Sequence, residues 1–180
     1  VLYESSRGCR NDCGFCVSAG VPLRRKTTDI IRAELELIRA ARVPEVRFID
    51  RTFNDDARHA CELLRILMTE FPETRFHLEI EPARLSPALL DVLTGAAAGR
   101  LHIEAGAQTL KDGALAGIGR HAAAGAALRG LRELCARPNL RVHVDLIAGL
   151  PNVTLDDTFE DVRILADLRP EEIQLESLKM

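Results

Sequence analysis

The sequence predicts an α/β protein, an open (β/α)6 partial TIM barrel with a parallel sheet and helices on the outside. Three observations predict it. Short strand-like runs alternate strictly with amphipathic helical runs along the 180-residue chain, and strict alternation means a parallel sheet with right-handed crossovers. Six strand-like runs are separated by five helical segments, which falls short of the eight units of a closed barrel. Polar or glycine-rich residues follow the strand-like runs, and in parallel α/β folds that edge of the sheet collects function. A doubly wound open sheet has the same element string, so pattern alone leaves both architectures open.

The first strand is Val1 to Ser5, leading into a cysteine-rich loop. Residues 28–41 carry Ile31, Leu35 and Ile38 at helical spacing. Val46 to Asp50 is the second strand, and residues 55–70 form a helix with Ala57, Cys61, Leu64 and Leu67 on one face. Arg75 to Ile80 is the third strand. Ser86 as N-cap and Pro87 at the first helical position open the next helix. Arg100 to Glu104 is the fourth strand, and a glycine-punctuated helical region fills residues 110–136. Leu140 to Ile147 is the fifth. Thr154 and Asp157 mark a capping-box start, with Leu155, Phe159, Val162 and Ala166 as the apolar stripe. Pro170 ends that segment, and Ile173 to Leu178 is the last strand.

Hydrophobic residues make up 47% of the chain, charged residues 28%, and the net charge is −3. This composition suits a globular core, and the length is that of one domain, residues 1–180. No apolar run is long enough for a membrane span. The slight acidity supplies no field for nucleic acid. Arg24-Arg25-Lys26 reads as a solvated loop-to-helix junction. The chain opens at Val1 inside a strand-like run and stops at Met180 inside another, so it reads as a domain cut from a longer protein.

Five cysteines, an odd number, argue against a fully paired disulfide framework. Cys61 and Cys135 fall in helical patterns and read as buried thiols. Cys9, Cys13 and Cys16 are different: they stand in C-x3-C-x2-C spacing on one loop, with Phe15 just before the third. Three such thiolates can hold three irons of a 4Fe–4S cubane, leaving the fourth iron open to a substrate or cofactor. A structural zinc wants four protein ligands, and a ferredoxin cluster wants four cysteines. Three close cysteines without a fourth nearby favour the open cluster over either closed site. A zinc knuckle or three unrelated thiols is the competing reading. An exposed low-potential cluster needs a reducing compartment, which places the protein in the cytoplasm.

The later strand ends carry five runs: Asp50-Arg51-Thr52-Phe53-Asn54, Glu79-Ile80-Glu81-Pro82, Glu104-Ala105-Gly106-Ala107-Gln108-Thr109, Ile118-Gly119-Arg120, and Asp145-Leu146-Ile147-Ala148-Gly149-Leu150-Pro151. Glu79 and Glu81, two apart, point to the same face of a strand. Gly106 allows close backbone approach to a ligand. A guanidinium such as Arg120 matches a carboxylate geometrically. Asn54 or Asp55 also suits the cap of the next helix, and Asp145 also reads as a structural carboxylate paired inside the barrel.

With the cysteine spacing, the order of these runs resembles the radical S-adenosylmethionine (SAM) superfamily. The resemblance covers nearly the whole chain. It implies a 4Fe–4S cluster on Cys9, Cys13 and Cys16, whose open iron chelates SAM and whose electron cleaves the sulfonium to a 5′-deoxyadenosyl radical. It places Asp50 and Thr52 near the SAM ammonium, Glu79 or Glu81 at the ribose or the substrate, and Glu104, Gly106 and Gln108 beside SAM or substrate. It sets Arg120 on the SAM carboxylate, and Phe15 and Ile147 against the adenine. The Gly-Gly-Glu motif of many members is missing here. Asp50 to Asn54 instead resembles a variant found in members fused to cobalamin-binding domains, which admits cobalamin through a domain not present in this chain. An electron donor such as flavodoxin or ferredoxin, and an unidentified substrate, are the partners implied.

Two other functions compete: a non-catalytic iron–sulfur or zinc-binding domain, and a methylthiotransferase-like RNA-modifying enzyme. The latter expects an RNA-binding domain and further clusters that the chain does not encode, and the charge gives it no support. A Rossmann dinucleotide site fails because no Gly-x-Gly-x-x-Gly follows the first strand. A glycosidase carboxylate pair leaves the cysteines unexplained.

Overall fold

A computed structural model describes residues 1–179; Met180 lies outside them. In chain order the elements are β1 (Leu2–Tyr3), β2 (Ser6–Arg7), β3 (Arg24–Arg25), α1 (Thr28–Ala40), β4 (Glu45–Phe48), α2 (Ala57–Glu70) and β5 (Arg75–Ile80). There follow a 3-10 turn (Pro82–Arg84), α3 (Pro87–Thr94), β6 (Leu101–Gln108), α4 (Asp112–Gly117), α5 (Ala124–Cys135), β7 (Leu140–Ala148), α6 (Leu155–Ala166) and β8 (Glu172–Ser177). Six strands form one parallel sheet in the order β1-β4-β5-β6-β7-β8. The order never reverses, so the sheet is wound in one direction; a doubly wound sheet needs a reversal and a switch point. The architecture is the expected open (β/α)6 partial TIM barrel.

Side-chain alternation explains the curvature's two faces. On β5, β6 and β7 one set is apolar and buried: Phe76, Leu78, Leu101, Ile103, Val142 and Val144. These pack with Ile31, Leu35, Leu64, Leu67, Leu131 and Leu134 of the helices in a single core. The other set, facing the concave side, is polar: His77, Glu79, His102, Glu104, His143 and Asp145. Parallel strands covered on both faces read as continuous apolar runs. The alternation here means that no helix layer covers the second face, which leaves it free to form a site.

Several sequence expectations shift. The first strand splits at Glu4: β1 stays in the sheet, while β2 leaves it to pair antiparallel with β3. β3 uses Arg24 and Arg25, so this basic cluster is partly a strand. The fourth strand continues four residues beyond Glu104, to Gln108. The 110–136 region is two helices broken at Ile118 to Ala123. The cap of α2 is Asp56, whose carboxylate accepts from the His59 amide, rather than Asn54 or Asp55. Cys135, at the end of α5, is half-buried, whereas Cys61 is buried.

The stripe assigned to α6 is out of phase. Leu155 and Phe159 are 69% and 52% exposed, and the buried face is Thr158, Asp161 and Leu165. Two polar side chains on a core face hid it from an apolar count. Thr158 bonds back to the Thr154 carbonyl, and Asp161 accepts from the Thr109 hydroxyl at 2.6 Å and the Leu110 amide at 2.9 Å. Asp161 thereby ties α6 to the chain leaving β6. The Ser86 cap and the Thr154–Asp157 capping box form as expected.

Candidate active site

The cysteine loop connects β2 to β3 and lies over the carboxyl ends of the strands. Gly8 starts it at φ 93°, where an added Cβ would stand 2.5 Å from the Pro22 carbonyl oxygen. The loop then docks on the break between α4 and α5: the Gly14 amide donates to the Ile118 carbonyl at 2.9 Å, and the Asp12 amide to the Gly119 carbonyl at 3.3 Å. Gly119 has φ 76°, and its Cα faces the Asp12 carbonyl so closely that a Cβ would sit 2.5 Å from it. Both conformation and contact require glycine.

Gly119→Ala is therefore expected to displace the cysteine loop, costing about 1–3 kcal/mol locally. Iron incorporation should fall while far-UV circular dichroism stays unchanged; wild-type iron content in this variant would contradict the docking described.

Cys9, Cys13 and Cys16 line one cavity at the strand ends. All are free thiols. The Asn11 amide donates to Cys9 Sγ and the Ser18 amide to Cys16 Sγ, each at 3.4 Å. Burial pushes the Cys13 thiol up, and the nearby Arg120 guanidinium opposes it. Among the described residues no three His, Cys, Asp or Glu side chains converge as a single ion requires. Three free thiols on one cavity are a donor set of the kind an iron–sulfur cubane takes.

Phe15, Thr52, Glu79 and Glu81 line the same cavity, as do Glu104, Gly106, Gln108 and Arg120. Glu81 is 2% exposed. Its Oε2 pairs with Arg120 at 2.7 Å and accepts from Asn11 Nδ2 at 3.2 Å. Arg120 also donates to the Gly106 carbonyl at 2.6 Å. Asn54 clamps the Glu81 backbone from both sides, accepting its amide at 2.8 Å and donating to its carbonyl at 2.9 Å. Asn54 thus fixes the end of β5 rather than capping α2. Gln108, at φ 66°, sits where the pairing of β6 with β7 shifts register. Bulges next to active sites re-aim side chains. At Gly106 an added Cβ would meet Gln108 Nε2 at 2.5 Å, so the missing side chain makes room for that amide.

Two sequence candidates stand outside this cavity. Asp50 is 1% exposed, and its carboxylate accepts from the Ser5 amide at 2.7 Å, the Ser6 amide at 2.9 Å and the Ser5 hydroxyl. Burial pushes its carboxyl up and these donors pull it back. It is the anchor that bends the chain out of β1 into β2, and it has turned away from the cavity. Ile147 packs beside Phe15, Leu115, Ile118 and Leu150 in a small separate apolar cluster. Removing Asp50 strands buried donors, so Asp50→Ala is expected to cost about 2–4 kcal/mol in urea unfolding. An unchanged midpoint would show that the serine contacts carry little.

Sequence reasoning missed Asn11, Arg51, Arg47 and His77, and it read Asp145 as internally paired. Asn11 and Arg51 line the cavity; their positions inside the cysteine loop and the Asp50–Asn54 run were the available signals. Arg47 Nη2 and His77 Nε2 each lie 2.7 Å from Glu104, which lowers that carboxyl, chiefly through the histidine. Asp145 lines the cavity and faces His143, whose Nε2 stands 3.1 Å from its Oδ1. Burial and then the neighbouring Glu104 push it up to about 7.

A cysteine loop over the carboxyl ends of a one-way parallel sheet, sharing a cavity with strand-end carboxylates and an arginine, defines a class of protein. A Radical SAM superfamily profile matches residues 3–165, and the chain belongs to that superfamily, whose enzymes use a 4Fe–4S cluster and SAM. The chain is 27% identical over 187 aligned residues to an oxygen-independent coproporphyrinogen III oxidase of Cereibacter sphaeroides, covering 96% of this chain and 41% of that protein. Among solved structures it is similar to the radical SAM methyltransferase TsrM of Kitasatospora setae with cobalamin and a 4Fe–4S cluster bound. There the TM-score is 0.85 at 18% identity, covering 99% of this chain and 37% of TsrM. It is also similar to coproporphyrinogen III oxidase (HemN) of Escherichia coli, with TM-score 0.71 at 18% identity over 99% of this chain and 44% of HemN. The chain thus spans less than half the length of these relatives.

Proposed function

We propose that residues 1–180 form the core domain of a radical SAM enzyme that holds a 4Fe–4S cluster on Cys9, Cys13 and Cys16 and cleaves SAM reductively. One observation carries this reading: the three free thiols line the same cavity as Arg120, Glu81, Gln108 and Gly106. The bound cluster and SAM supply a 5′-deoxyadenosyl radical. The chain's own residues bind and orient. Arg120, already hydrogen-bonded to Gly106, offers its fork to the SAM carboxylate. Glu81, with an Oε1 that has no partner among the described residues, accepts from the ribose hydroxyls. Thr52, beside Cys9 at 3.6 Å, is the member of the Asp50–Asn54 run placed to meet the ammonium. Phe15, backed by Ile147, offers an apolar edge to the adenine. The remaining cavity receives the substrate and excludes water from the radical.

The bound cobalamin in TsrM, and in the similar enzyme OxsB (TM-score 0.66, 19% identity), supports a cobalamin-dependent methylation or rearrangement, with cobalamin held outside this chain. The reductant is a flavodoxin- or ferredoxin-type donor in the cytoplasm. No helix among the described residues is long and apolar enough to cross a membrane.

The test is anaerobic reconstitution with iron and sulfide, reduction, and electron paramagnetic resonance with and without SAM. A 4Fe–4S signal that changes on adding SAM is expected. A cluster indifferent to SAM would leave a non-catalytic iron–sulfur domain.

A further inference from the structure

We infer that Glu79, Glu104 and Asp145 form a substrate subsite for a cationic nitrogen group, an ammonium or a guanidinium. This rests on the radical SAM reading only in placing the substrate in the cysteine-lined cavity. The three carboxylates come from adjacent strands and line that cavity together. Glu79 and Glu104 are direct partners across β5 and β6, and Asp145 on β7 lies opposite Gly106, two residues along from Glu104. Like charges directly opposite on neighbouring strands repel, so this wall needs positive charge.

The protein supplies little of it. From β4, Arg47 reaches Glu104 at 2.7 Å but Glu79 only at 4.0 Å. From β5, His77 also serves Glu104. Arg51, at the rim, donates to Ser18 Oγ at 3.1 Å. Asp145 faces Glu104 and Glu79, and on its own strand His143. Burial, and after it the charge of Glu104, raises the Glu79 carboxyl as well. Glu79 and Asp145 are thus shifted toward their protonated forms, whereas Glu104, held by His77 and Arg47, is not.

An independent feature marks the place where the ligand acts. His143 has a side chain only 9% exposed, and its Nε2 has no hydrogen-bond partner among the described residues. That nitrogen stands 3.1 Å from Asp145 Oδ1, itself without a partner, and the two are not aligned as a hydrogen bond. A cation arriving at the wall favours ionised Asp145. The proton leaves to solvent. A neutral or anionic group brings no counter-charge.

The linkage has a definite sign. Asp145 carries its proton up to a pH of about 7, and a cation binds the ionised form better, so affinity should rise as pH increases through that value. The probe is agmatine, which carries both cationic groups, with butyrate and 1-butanol as controls. Binding is followed by calorimetry and ligand-observed NMR on the purified chain. We expect agmatine to bind and butyrate not to bind, with agmatine several-fold tighter at pH 8 than at pH 6. Asp145→Asn and Glu79→Gln, both near-isosteric, should each weaken agmatine about tenfold, or about 1.4 kcal/mol. Glu133→Gln, on the surface of α5, should leave it unchanged.

Equal binding of butyrate or butanol, no agmatine binding at all, or wild-type affinity in Asp145→Asn would each overturn the subsite. The SAM-dependent change in the paramagnetic spectrum, recorded on the same variants, reads the radical SAM function separately. Its persistence alongside failed agmatine binding removes the subsite alone, and its absence alongside agmatine binding removes the radical SAM reading alone.

Discussion

Replacing Cys9, Cys13 or Cys16 with alanine is expected to abolish reductive SAM cleavage in each single variant. The three thiols sit on one loop over one cavity, and among the described residues no other group of ligands stands ready to replace a lost one. Losing a residue that merely supports a metal ligand costs roughly 10–100-fold, so losing a ligand itself should exceed that. The fold should persist. Only Cys13 is buried, and none of the three belongs to the main core between sheet and helices. A cost of about 1 kcal/mol moves the melting temperature by only about 2–4 °C in a chain of this size. Iron content, the paramagnetic signal and 5′-deoxyadenosine release are the measurements. Intact cleavage in all three variants would sink the cluster assignment.

Arg120→Ala should produce the largest loss of stability together with a loss of SAM binding. Among the described residues Arg120 is the only cation paired with Glu81, a carboxylate 2% exposed. Breaking a buried pair by removing one partner costs about 3–5 kcal/mol, because the remaining charge stays buried. That is a large part of the roughly 5–15 kcal/mol that holds a domain together. Glu81→Gln/Arg120→Met removes both charges and should recover much of the stability without recovering SAM affinity. Arg120→Lys keeps the charge but cannot span Glu81 and Gly106 with a planar fork, so it should fall between. Chemical unfolding and SAM titration separate the two effects. Wild-type stability in Arg120→Ala would mean that the pair is not desolvated, and equal loss of cluster assembly and SAM binding would count against a position at the SAM carboxylate.

The site was legible where function follows from short-range order. The C-x3-C-x2-C loop, the carboxyl-terminal parts of β5 and β6, and Arg120 all fall on one cavity because consecutive strands of a parallel sheet bring their carboxyl ends to one edge. Asp50 shows where such reading stops. As a strand-end acid it looked like a ligand contact, but whether it meets the cavity or the chain beside it depends on where β1 turns away from the sheet. Ser5 and Ser6, forty-four and more residues earlier, present their donors there. Ile147 likewise went to the neighbouring apolar cluster with Phe15 and Leu150. The apolar–polar alternation of β5 to β7 was a readable sign of an open concave face, and it would have separated the partial barrel from a doubly wound sheet.

What the sequence by itself determined is therefore the six strands of the sheet, the helical segments between them and the three-thiol loop, with the winding of the sheet left open. These rest on local periodicity, capping and spacing. Only the tertiary structure decided that Ile118 and Gly119 receive the cysteine loop, that Asn54 clamps Glu81, and that three carboxylates share one wall with Arg47. Each joins residues far apart in the chain. The competition among them for scarce donors and counter-charges is settled by register and burial, which no single segment encodes.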